Sequence, residues 1–243
     1  MSRLRVVIGV LGEILVTLGV LVLLFVVWQV GWDSMIEQRA QNDRVLALEQ
    51  SFGPAGGGAT QPANGATHPA SGATQPASAP TVQHALPEGD AFAILRIPRL
   101  GADFAKPVFE GTDLSILHNG IGHYVGTQMP GELGNFAVAG HRSGSGNPLI
   151  DVDTIRSGDI LIVETRSSYF VYTVYQHEIV TPWNTKVLAP LPGQPGVLPD
   201  ARYMVVTTCN PRWGNSERWI VLAKLTAHYS RAQGLPTAAL VVH

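Results

Sequence analysis

Between Val6 and Trp32 the chain carries a single charged residue, Glu13, in an otherwise nearly all-apolar run. About 20 consecutive apolar residues are the length of a helix that crosses a bilayer. A cleaved signal peptide would have a shorter apolar stretch and a small-x-small cleavage site after it. Here Trp28, Gln29, Val30, Gly31, Trp32 and Asp33 follow instead, and the two tryptophans suit a membrane interface. The segment 1–32 therefore reads as a retained anchor. Arg3, Arg5 and the terminal amine flank it closely on the N-terminal side, while Arg39 and Arg44 lie further off among acids. That asymmetry favours an N-terminus inside and the rest of the chain outside the cell. The hydrophobic fraction of 45% is raised by this segment and is no measure of core.

Residues 33–49 mix charges with Met35, Ile36, Val45, Leu46 and Leu48, as a short juxtamembrane helix would. Residues 50–87 contain no Asp, Glu, Lys or Arg and repeat GATQPAN, GATHPAS and GATQPAS from Gly58, Gly65 and Gly72. Recurring proline and glycine exclude a coiled-coil heptad. The segment offers too little apolar side chain to offset the entropy of ordering, so a disordered tether is expected. His68 and His84 within it are not read as metal ligands. The folded domain is then 88–229, with a tail at 230–243.

Within that domain β-rich runs fall at 91–97, 135–140, 159–165, 169–180, 202–208 and 218–225, separated by Gly and Pro. Helical turns are expected at 112–117 and 149–155. The pattern predicts a mainly β domain, a closed antiparallel barrel or a sandwich. Net charge is −2, so no global field attracts nucleic acid. Zinc-type cysteine spacing and a phosphate-binding glycine loop are both absent, and one cysteine cannot form an internal disulfide.

That cysteine, Cys209, ends the run from Tyr203 and precedes Asn210-Pro211. A buried small hydrophobe and a reactive thiol at a barrel rim both fit the position. His141 also follows a short apolar run, 136–140. Arg218 opens the strand after the loop 210–217, and in an antiparallel hairpin it would adjoin Cys209. Strand ends carrying a thiol, an imidazole and a guanidinium can supply a nucleophile, a proton carrier and a planar donor to an oxyanion.

At these residues the chain resembles the sortases, in detail those of class E from high-GC Gram-positive bacteria. The carriers are Val205-Val206-Thr207-Thr208-Cys209, the longer run to Trp213, Gly120-Ile-Gly-His-Tyr, Met129-Pro-Gly-Glu and the run from Gly134 to Arg142. The likeness covers 92–225. It implies a sortase-type β-barrel in which Cys209 is the nucleophile, His141 the general acid/base and Arg218 the substrate-orienting arginine. Tyr124, Thr207, Thr208 and Asn210 are implied to line the substrate. Tyr124 points to a Leu-Ala-x-Thr-Gly type signal in place of Leu-Pro-x-Thr-Gly. The loop 181–200 would form one groove wall, with His123, His177 and Trp213 structural. The implied partners are secreted proteins bearing a sorting signal, a cell-wall amine and the membrane, with no metal or organic cofactor. A pilus-building sortase using a protein lysine, a peptidoglycan-acting cysteine transpeptidase and a non-catalytic binding barrel on a stalk are the alternatives.

Overall fold

A computed structural model describes residues 3–53 and 86–235; most of the charge-free segment and the end of the tail lie outside them. Helix α1 runs without a break from Arg3 to Phe52. Within it Val6–Val26 is long and apolar enough to cross a membrane, and none of that stretch is buried inside the molecule. Fifty residues at about 1.5 Å each make roughly 75 Å of helix. The last turns are different. Glu37, Gln41, Arg44, Val45, Leu48, Glu49 and Phe52 recur at three- and four-residue steps and are half-buried or buried. That stripe is one helix face, and it packs on the barrel.

The barrel is built from β1 (Ala91–Arg96), β2 (Ala105–Glu110), β3 (Ile121–His123), β4 (Gly134–Ala139), β5 (Ile160–Thr165), β6 (Ser168–Val180), β7 (Arg202–Asn210) and β8 (Glu217–Ser230), with the short helix α2 (Leu114–Leu117) before β3. It closes in the order β1-β2-β3-β4-β7-β8-β6-β5. The expected barrel is present, but it is not antiparallel throughout: β2–β3 and β4–β7 pair in parallel. Each parallel pair is joined by a crossover, through α2 in one case and through β5 and β6 in the other, because a tight hairpin cannot connect parallel strands. Strands β2 and β3 escape a pattern search. The first contains Lys106 and Pro107, the second is three residues long, and both are strands because neighbours supply their ladders. The turn expected at 149–155 is one turn of 3-10 helix, Val152–Thr154.

Alternation decides what each strand shows to which side. Phe136 and Val138 of β4, Met204 and Val206 of β7 and Val221 and Ala223 of β8 join the interior core. The residues between them, Ala137, Val205, Ile220 and Leu222, form a second cluster on the outer wall, closed by Val187 with Tyr124, Val180 and Leu188 packed against it. The glycines of Gly120-Ile-Gly have a steric cause. A Cβ on Gly122 would stand 2.3 Å from the Gly111 carbonyl, and one on Gly120 would stand 2.5 Å from that of Pro107.

Candidate active site

Strands β4, β7 and β8 lie side by side, and their ends bring three positions in the chain to one level of the wall. Cys209 and Arg218 are direct partners in the β7–β8 ladder. In the parallel β4–β7 ladder Ala139 faces Thr207, and the Gly140 N–H donates to the Thr207 carbonyl at 3.1 Å. His141 is the next residue, so it stands at the level of Cys209. By strand alternation Cys209 shares the outward face of Val205 and Thr207. The site therefore lies at the end of the outer-wall cluster, on the outside of the barrel wall, and not within the barrel's open end.

Four residues read as substrate-lining divide between the two faces. Tyr124 and Thr207 are on the outer side, where the Tyr124 hydroxyl and Thr207 Oγ1 are 2.9 Å apart. Thr208 faces inward, buried, and its Oγ1 donates to the Gly140 carbonyl at 2.7 Å. It braces the turn into His141 from beneath. Asn210 also falls on the inner side. Its Oδ1 accepts from Arg142 Nη1 and its Nδ2 donates to Glu217 Oε2 at 2.7 Å. Both polar ends are thus occupied by protein.

Cys209 is half-buried. Arg218 is half-buried as well, and its Nη1 donates to the carbonyls of Asn215 and Glu217 at 2.9 and 2.8 Å. Its Nε and Nη2 make no hydrogen bond among the described residues. His141 Nε2 is shielded from solvent and has no hydrogen-bond partner among the described residues. Burial, then the like charge of His118, push the His141 imidazole below its usual value, while Glu37 opposes this. A thiol, an imidazole and a guanidinium are the groups that acyl transfer through a thioester uses.

Residues 95–226 match the family model for the sortase domain. The chain belongs to the sortase family.

Over 238 residues this sortase is 35% identical to Sortase SrtE1 of Streptomyces coelicolor, a match covering 94% of the chain and 60% of that relative. It thus spans less than two thirds of that protein's length. Among solved structures it resembles the SrtA sortase from Actinomyces oris, with a TM-score of 0.62 and 37% identity over 68% of the chain and 94% of that one. It resembles sortase E from Streptomyces avermitilis with a TM-score of 0.59 and 38% identity, over 64% and 100%. These likenesses place it with class E. Sortases are cysteine transpeptidases.

Sequence reading passed over two residues of the sortase's site. His118 caps α2, and its ring centroid is 5.6 Å from that of His141. Arg142 is buried, lies over the Trp219 ring at 5.5 Å and pairs with Asp153 at 3.2 Å. Neither is near Cys209 in sequence, and neither sits in a periodic pattern; only the fold joins them. His123 is buried and His177 exposed, and both have partners within the barrel. The first donates or accepts at 2.7 Å with Glu110 Oε2 and the second stacks on Trp219. Trp213 is exposed, at 76%.

Proposed function

We propose that this sortase is anchored in the cell membrane by 1–32, with the barrel outside the cell, and cleaves a Leu-Pro-x-Thr-Gly-like sorting signal between Thr and Gly. The Cys209 thiolate attacks the threonine carbonyl, and the oxyanion that forms is held by the planar fork of Arg218. Protonated His141 gives its proton to the departing glycine amine, leaving a thioester. A cell-wall amine then attacks, neutral His141 takes its proton, and collapse to the new amide releases the thiolate. The observation that carries the reading is the cross-strand pairing of Cys209 with Arg218, one ladder away from the residue preceding His141.

Tyr124 supports a signal with alanine in second place. Its ring packs on the outer-wall cluster and its hydroxyl is 2.9 Å from Thr207 Oγ1, two residues from the thiol. The membrane-length helix Val6–Val26 supports the anchor.

The full chain, given a signal peptide and a small panel of amines, should form both the thioester and the amide product, read by mass spectrometry. Cys209→Ala should form neither. Amide formation by that variant would end the proposal. Glycine-like amines and a lysine-bearing protein in the same panel separate wall anchoring from polymerisation.

A further inference from the structure

The loop after His141 has a costly backbone. Gly144, Ser145, Gly146 and Asn147 all have positive φ, with Ser145 at 51° and Asn147 at 49°. For residues other than glycine that region costs about 1–2 kcal/mol each, so the loop needs an outside hold. Its own hydrogen bonds are local: the Gly144 N–H donates to Asn147 Oδ1 at 2.6 Å, and the Asn147 N–H to the Gly144 carbonyl at 2.9 Å.

The outside hold is α1. Gln41 is fully buried, an unusual state for a polar residue on a helix beyond an apolar span. Its Nε2 donates to the Ser145 carbonyl at 3.0 Å and leans on that of His118 at 3.4 Å. Its Oε1 accepts from Lys106 Nζ of β2 at 3.0 Å. One turn earlier, Gln38 Nε2 donates to the Gly146 carbonyl at 3.2 Å. Glycine suits position 146, where φ is 72° and a Cβ would approach Gln41 Nε2 to 3.1 Å and the Gln38 backbone nitrogen to 3.2 Å. The loop then reaches back to the site, because Ser145 Oγ is 2.7 Å from His118 Nδ1 and the His118 ring neighbours that of His141. A buried amide with all its groups matched fixes one arrangement, and a partly matched one would be costly.

We propose that the end of α1 beyond the apolar span is part of the catalytic unit, and that Gln41 is a positioning residue for the loop that carries His141. The proposal rests on the transpeptidase reading above. It means that the unit competent for catalysis starts on the helix, ahead of the charge-free segment, and not at residue 88.

The test uses the full chain in detergent with three variants. Gln41→Met keeps length and loses every hydrogen bond. Gln41→Glu keeps the acceptor for Lys106 but cannot donate to the two carbonyls. Gln38→Ala removes only the Gly146 contact. Both Gln41 variants should lose about tenfold or more in kcat, the scale of a misplaced catalytic group, with KM for the signal peptide nearly unchanged. Gln38→Ala should lose about two- to threefold. A folded Gln41→Met with wild-type kcat would overturn the proposal. So would an unchanged Gln38→Ala should both Gln41 variants unfold. The His141 ring resonances, followed by NMR, give a readout independent of turnover and should move in Gln41→Met. If the wild-type chain turned over no signal peptide, the transpeptidase reading would fall, and an unmoved His141 resonance would then sink the positioning role separately.

Discussion

Arg218, the ladder partner of Cys209, holds the carbonyls of Asn215 and Glu217 with Nη1, and its other N–H groups are unbonded among the described residues. A lysine could satisfy the loop but could not present a planar pair of donors to an oxyanion. Arg218→Lys should therefore lower kcat/KM by about 10²-fold or more, measured with signal peptide by chromatography, while the thermal midpoint stays near wild type. His141 predicts a pH effect. Burial and His118 both disfavour its imidazolium, so the limb of the kcat/KM profile that reports His141 should lie below about 6.5, the ordinary histidine value. His118→Gln removes the neighbouring positive charge and can still meet Ser145 Oγ. The limb should then move up toward the ordinary value. A limb that stays in place would show that His118 does not act on His141.

Elements need clamps where short strands meet turns. Asp159, at the entry to β5, is buried and takes two hydrogen bonds from Arg99, at 2.8 and 2.6 Å, and one from the Arg156 N–H at 2.8 Å. Burial raises its carboxyl, but the Arg99 bonds, the Arg156 N–H and both cations outweigh that and hold it below the usual carboxylate value. The sign follows from linkage. With the folded value depressed, the stabilisation is complete above the unfolded value and lost as pH falls through the folded one. Asp159→Asn should lower the thermal midpoint by about 4–8 °C at neutral pH, and the gap from wild type should close on acidification. Calorimetry at neutral and acid pH checks both. The same logic of local necessity explains Gly120 and Gly122, which the sequence displays as a motif and the fold uses as close backbone contacts.

Over the whole molecule, the path of the chain sets what can move. Carbonyls of Phe52 and Gly53 accept from Arg231 on the barrel, the Phe52 ring lies beneath Arg166 and Arg231, and Arg96 joins Glu49 of α1 to Glu164 of β5. After the charge-free segment the chain rejoins the barrel where the Gly89 N–H donates to the Glu110 carbonyl at 2.8 Å. Both ends of that segment are therefore fixed to the same body, and α1 is the connection between the apolar span and the barrel. From Val26 to Gln41 the helix rises about 22 Å. Deleting one repeat, residues 65–71, should accordingly leave kcat/KM within about twofold of wild type, because loop-closure entropy varies slowly with length; the full chain in vesicles, given a soluble signal peptide, measures this. Much of this organisation can be read from residues alone. The apolar run has the length of a bilayer, and the charge-free repeats stand out by composition. Strand alternation marks a β domain, and the Thr-Thr-Cys and Gly-His-Arg runs single out Cys209, His141 and Arg218 as the residues proposed for its chemistry, since these are local signals carried by neighbouring residues. The parallel pairings β2–β3 and β4–β7, the outward face that carries Cys209, the inward turn of Thr208 and Asn210 and the hydrogen bonds of Gln41 to the loop after His141 were decided only in three dimensions. Each depends on contacts between residues tens of positions apart, and such contacts leave no period or motif in a linear chain.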